Sequence, residues 1–230
     1  MASNIQEEKE IPPLPATYIA ALIPVAVAIN VIGAFIVNTL RLPIFLDFMG
    51  IAIAAFLAGP WWGASTGVLT CLAIALVLNP IYLPFAPWAA IGGLIYGYGA
   101  KYGLVKSFAR IALLGLIVGI AGGFITVPIY VFVFGGATGH FSDVLTASFL
   151  AMGQQLAPAV LYAKLITEIP DKMLSTFIGV AILQAMPEEL KKRVPGLTKA
   201  PPLKRGLTLI VAIVILLIIG LIVVPKILGG

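Results

Sequence analysis

Charge, cysteine and histidine are all scarce in this 230-residue chain, and each scarcity removes a class of function. Charged residues make up 10% of it, against about a quarter in an ordinary soluble domain. A single cysteine, Cys71, rules out an internal disulfide framework and a cysteine metal cluster. The single histidine, His140, has no second histidine or cysteine near it, so a metal site is not expected, and an axial role toward a corrin or haem is the one such use left open. No Walker A pattern is present, so ATP hydrolysis has to come from elsewhere. The acidic residues are scattered and no Ser–His pair stands out, which disfavours a membrane protease or lipid transferase.

Apolar residues are what the chain has in abundance: 61% of it is hydrophobic and the mean hydropathy is +1.12. The apolar runs are long and do not alternate with polar residues, as a barrel with a polar lumen requires. The expected fold is therefore all-α, a polytopic transmembrane helical bundle. The start, 1–16, is polar and acidic over its first ten residues and lacks the basic region of a cleavable signal. It is expected to be a cytoplasmic segment, and the run 17–38 a retained span.

Punctuation divides the rest. The apolar stretch 48–78 would make a helix of roughly 45 Å against a hydrocarbon core of about 30 Å. Gly59-Pro60 offers a break, predicting short helices over 48–58 and 61–78. Three prolines in 79–87 predict a loop, and a glycine-rich helix is expected over 88–100. Lys101, Lys106 and Arg110 form a basic hinge before a span over 111–134. The segment 135–143 is a polar connection. The stretch 144–166 reads either as a span or as a re-entrant segment, because it carries Gln154, Gln155, Pro158 and Lys164. A shorter helix follows over 171–186, ended by a charged tail. The region 17–195 is thus a six-helix membrane core, 196–206 a basic, proline-containing linker, and 207–230 an additional C-terminal transmembrane helix, apolar all round.

Basic residues collect in cytoplasmic loops. If 48–78 crosses twice and 144–166 does not cross, the two basic clusters, 101–110 and 191–205, lie on the cytoplasmic side with the N-terminus. One tilted span over 48–78 with an external N-terminus also satisfies the rule. The net charge of +5 sits mainly in these clusters and reports orientation in a lipid bilayer; nucleic acid is not an expected partner.

Four places carry a resemblance to a known family: Leu42-Pro-Ile-Phe-Leu-Asp47-Phe-Met-Gly50, Gly59-Pro60-Trp-Trp-Gly63-Ala-Ser-Thr-Gly67, the glycine-rich helix after Pro87, and Ile169-Pro170-Asp171-Lys172. In order and spacing over 17–195 the chain resembles the S-component, the substrate-binding membrane subunit of energy-coupling-factor (ECF) transporters. The seventh apolar helix departs from the usual six. The resemblance implies capture of a vitamin or other small micronutrient outside the cell. Release inside then follows when the subunit topples against a transmembrane coupling subunit powered by two ATPase subunits. It also implies a small-residue face on the first helix against the coupling subunit, which places Ala16, Ala20, Pro24 and Ala28 there; internal packing is the competing reading.

On the outer side this topology collects Asn38, Arg41, Asp47, Asn79, Tyr82, Trp88, Tyr130, His140, Gln154, Gln155, Asp171 and Lys172 as candidate substrate-binding residues. Asp47 either binds substrate, pairs with Arg41 or caps the helix that starts at Phe48. Tyr82 and Trp88 either stack on a ligand or anchor helices at the interface. Gln154 and Gln155 suit a flap over a cavity or hydrogen bonds between helices. Asp171 and Lys172 suit an ion pair at a helix start, and Trp61 and Trp62 suit interfacial anchoring. No cofactor is expected. The clear apolar runs hold almost no ionisable group, which favours an externally powered binder over a stand-alone secondary carrier for a small organic solute. Little fixed charge on the outer side points to an aromatic or mostly neutral substrate.

Overall fold

In a computed structural model, residues 14–200 are described, and every regular element among them is helical. The order is α1 Ala16–Leu40, α2 Met49–Ala58, α3 Pro60–Val77, a 3-10 turn Pro80–Phe85, α4 Ala86–Lys101 and α5 Phe108–Pro128. A π turn, Ile129–Val133, continues α5, and α6 Asp143–Ala151, α7 Leu156–Ala185 and α8 Glu188–Lys191 follow. Among the described residues, three helices are long and apolar enough to cross a membrane: Ala16–Leu40, Pro60–Val77 and Phe108–Val133. The expected helix 207–230, most of the linker 196–206 and most of the segment 1–16 lie outside the described residues.

Small residues set the packing. In α3 and α4, Gly63 meets Gly93, Gly67 meets the Ala89 carbonyl and Gly97 meets Pro60, each so close that a Cβ would strike backbone. This is the close approach that glycines four apart permit in apolar helices. A second seam joins α5 to α7. A Cβ at Gly115, Gly119 or Gly123 would lie 2.8, 2.6 and 2.6 Å from Met173, Ile169 and Leu165 respectively. One buried amide ties three helices. Asn30 on α1 donates to Thr70 Oγ1 on α3 (2.9 Å) and accepts from the free Gly50 N–H at the start of α2 (2.7 Å).

The structure corrects four boundaries. Residues 144–166 do not form one segment: α6 stops at Ala151, Gly153 takes φ +86° in the following turn, and α7 begins at Leu156. At nine residues, about 14 Å, α6 cannot span a bilayer. No helix starts at Asp171, because α7 runs for 30 residues straight through Pro170. The proline removes one backbone donor, and packing along the glycine seam of α5 holds the helix together on both sides of it. The proline loop 79–87 contains a 3-10 helix, opened by Asn79, whose side chain accepts the Ile81 N–H, and α4 begins at Ala86. Finally, α5 starts at Phe108, so Arg110 belongs to that helix rather than to a hinge.

The two ends of the bundle differ. At one end lie the Gly59 turn, the α4–α5 connection with Lys101 and Lys106, and the close of α7 with α8. Gly196 packs on the Lys106 side chain, which brings the described part of the second basic cluster, Lys191, Lys192 and Arg193, to the same end as the first. Trp61 and Trp62, 70% and 42% exposed, stand at this end. The opposite end gathers the close of α1, the 41–48 connection, the 3-10 turn and the 134–142 loop.

Candidate functional site

At that second end, α1, α3, α4, α5 and α7 surround a cavity of about 690 Å3, mouth included. Its wall is aromatic: Phe45, Phe48, Tyr82, Phe85, Trp88 and Tyr130. Phe48 and Trp88 are 2% and 3% exposed and stack at 5.3 Å, so the floor is rigid. Asn38, Asp47, Asn79, Thr126, Thr138, His140, Glu168 and Lys172 supply polar atoms. An apolar wall with a few convergent polar groups is the usual form of a small-molecule site.

The polar side is organised by α7, which buries four charged residues completely or nearly so: Lys164, Glu168, Asp171 and Lys172. The expectation of little fixed charge at this end is therefore corrected; the clear apolar runs do hold almost none, and the buried charges lie on α7, outside those runs. Hydropathy averages hide these groups, because they share one face of a helix whose other positions are apolar. Lys172 Nζ lies 3.1 Å from Asp47 Oδ1, 2.5 Å from Asp171 Oδ2 and 3.4 Å from Glu168 Oε2. Asp47 accordingly neither caps α2, whose N-cap Phe48 has no side-chain cap, nor pairs with Arg41.

Asp171 has a second duty. Its Oδ1 accepts the backbone N–H groups of Phe45 (3.0 Å) and Leu46 (2.8 Å), holding the 41–48 connection against α7. Leu46 there adopts φ +51°, a left-handed conformation that a leucine keeps only when its surroundings impose it. Asp171 is buried behind this connection and does not line the cavity.

The 134–142 loop closes the site from the other side. Asp143 Oδ2 accepts the Thr138 and Gly139 N–H groups, both at 2.7 Å, and so shapes the loop. His140 stacks on Phe45 at 4.4 Å and uses both ring nitrogens. Ser142 N–H donates to Nδ1 (3.2 Å), which assigns the proton to Nε2 for donation to the Ile44 carbonyl (3.2 Å). Burial, and then the Lys164 ammonium, push the His140 pKa down to about 4, so the ring is neutral at physiological pH. With both nitrogens engaged, His140 is a latch between two connections rather than a free axial ligand. Lys164 completes the chain of contacts, donating to Ser142 Oγ (3.1 Å) with its ammonium 3.5 Å from the centre of the Tyr130 ring.

Eight of the twelve expected binding residues thus meet at one cavity: Asn38, Asp47, Asn79, Tyr82, Trp88, Tyr130, His140 and Lys172. Arg41 lies outside the cavity lining, at an adjoining and more open depression beside Leu42 and Phe141 that shares Asn38, Gly139 and His140 with the cavity. Gln154 and Gln155 are exposed in the α6–α7 turn, away from the cavity. Glu168 and Phe45 are the main residues that sequence reasoning missed. Glu168 lies four residues before Lys172, a spacing that puts both on one helix face, but it had been read as lying before a helix break. On α1, Ala16, Ala20, Pro24 and Ala28 form an exposed face, whereas Ala26, Asn30 and Ala34 are buried. Internal packing is carried by the second set.

Among the described residues, no group of three or more His, Cys, Asp or Glu side chains is placed to hold a metal ion. Among the described residues, fold and site together define an all-helical bundle with apolar flanks and an aromatic-walled cavity at one end. Comparison of the chain with protein-family models, curated proteins and solved structures finds no match.

Proposed function

We propose that this chain is a multi-pass membrane protein that binds a small organic solute in the cavity between α1, α3, α4, α5 and α7, and that it serves as the S-component of an ECF-type importer. The single observation that carries this reading is the cavity itself. Aromatic rings and a buried charged cluster converge at one end of a bundle whose flanks are apolar. A six-helix core of α1, α2, α3, α4, α5 and α7, with α6 as a short cap, fits the order of elements. With Lys101 and Lys106 at the other end beside Lys191, Lys192 and Arg193, the positive-inside tendency supports a cavity that opens outward. The exposed small-residue face of α1 suits contact with a coupling subunit, and ATP hydrolysis then belongs to two partner ATPases.

A stand-alone carrier is the second reading, favoured by one observation. The buried Lys164, Glu168, Asp171 and Lys172 are the kind of intramembrane ionisable groups that ion-coupled carriers use. Native mass spectrometry of the gently solubilised protein from its own host separates the two. The importer reading expects a retained small molecule together with coupling and ATPase subunits. A protein that carries the molecule but no subunits, and that drives uptake into vesicles without ATP, overturns it in favour of the carrier.

A further inference from the structure

The charge arrangement within the cavity goes further than its location. Three carboxylates, from Asp47, Glu168 and Asp171, face a single ammonium, that of Lys172. Two of them are satisfied. Asp171 holds two backbone N–H groups as well as Lys172, and Asp47 accepts a hydrogen bond from Lys172. Glu168 is different. It is 4% exposed, and its Oε2 has no hydrogen-bond partner although Lys172 Nζ is 3.4 Å away. A buried acceptor left without a donor costs about 1–3 kcal/mol, and more when it is charged. Such a group is retained where something else supplies the donor.

The surroundings say what that donor is. Glu168 lines the cavity beside the Trp88 ring; a Cβ on Gly122 would lie 2.6 Å from Trp88 Cζ2 and 2.9 Å from Glu168 Oε2, so glycine there lets the two share the floor. An anionic ligand would meet Glu168 and Asp47 before any free cation. Lys172 is already shared among three carboxylates. Lys164 is behind the wall, spent on Ser142 and Tyr130. Arg41 sits at the outer depression, and His140 is neutral.

We propose that the cavity selects a planar cation, an amidinium-like or protonated amino-heterocyclic group, that donates N–H hydrogen bonds to Glu168 Oε2 and stacks beside Trp88. Asp47, which also lines the cavity, adds to the attraction. This rests on the cavity being the ligand site, and it replaces the neutral substrate expected from the sequence with a positively charged one.

Benzamidine, benzamide and benzoate test it, since they share a ring and a shape and differ in charge. In a W61F/W62F background Trp88 is the remaining tryptophan, and its fluorescence reports occupancy. Benzamidine is expected to quench it with at least tenfold higher affinity than benzamide, and benzoate not to bind. Glu168→Gln should abolish the benzamidine preference, and a monodisperse size-exclusion profile shows that the variant is folded. Equal affinities, or a preference for benzoate, overturn the cation assignment and leave the cavity as a ligand site. A fluorescence signal unmoved by all three compounds overturns both.

Discussion

Replacing Lys172 with methionine removes the one ammonium shared by Asp47, Glu168 and Asp171 while keeping most of the side-chain volume. Lys172 is 1% exposed, Glu168 and Asp171 are likewise buried, and Asp47 is partly buried. Removing one partner of a buried ion pair costs about 3–5 kcal/mol, because the remaining charge is stranded. Asp171 keeps the Phe45 and Leu46 N–H groups as compensation; Asp47 and Glu168 lose their cation. At about 2–4 °C per kcal/mol for a domain of this size, the detergent-solubilised K172M variant should melt roughly 6–20 °C below wild type. Neutralising the stranded partners separates charge from shape. The triple variant K172M/D47N/E168Q should recover most of the loss, since a buried ionic cluster exchanged for uncharged groups of similar volume is often near neutral in stability. Thermal unfolding followed by intrinsic fluorescence measures all three proteins. A K172M variant within about 2 °C of wild type, or a triple variant no better than K172M, refutes the idea that Lys172 neutralises the cluster.

Three further outcomes follow from other parts of the fold. His140 stays neutral in the folded protein down to about pH 4, whereas the unfolded ring takes up a proton near pH 6.5. Stability should therefore fall as pH drops below 6.5, by at most about 2 kcal/mol at pH 5, and melting curves of His140→Gln should lose that acid dependence. Gly93→Val drives a side chain into the backbone at Gly63 and should cost about 3 kcal/mol or abolish monodisperse expression. Gly99→Ala meets the Leu114 and Leu104 side chains instead, and size-exclusion chromatography should show it intact. Ala20→Leu lies on the exposed face of α1; it should leave the melting temperature unchanged and reduce co-purification of a coupling subunit at least tenfold, and undiminished co-purification would remove that face from the interface.

Composition alone decides that this chain is helical and apolar, because a backbone without water must satisfy its hydrogen bonds within each segment. Local punctuation decides nearly as much. Gly59-Pro60 separates α2 from α3, the prolines after Asn79 end α3, and the glycines of 92–99 mark a close-packed face; in each case the residue itself restricts or frees its own backbone. The convergence of eight named residues on one cavity was legible too, from where the polar and aromatic residues fall between helices. Tertiary structure decided the rest. Pro170 reads as a helix boundary, yet α7 continues through it because packing on the glycines of α5 outweighs one lost hydrogen bond. The sequence offered Asp47 a substrate, Arg41 or the start of α2, and the ion pair it makes is with none of these but with Lys172, 125 residues away. Glu168 acquires its meaning only when the fold buries it beside Trp88 with its donor missing. Pairing between distant charges depends on which helix faces meet, and a linear sequence holds that information only through the packing of the whole bundle.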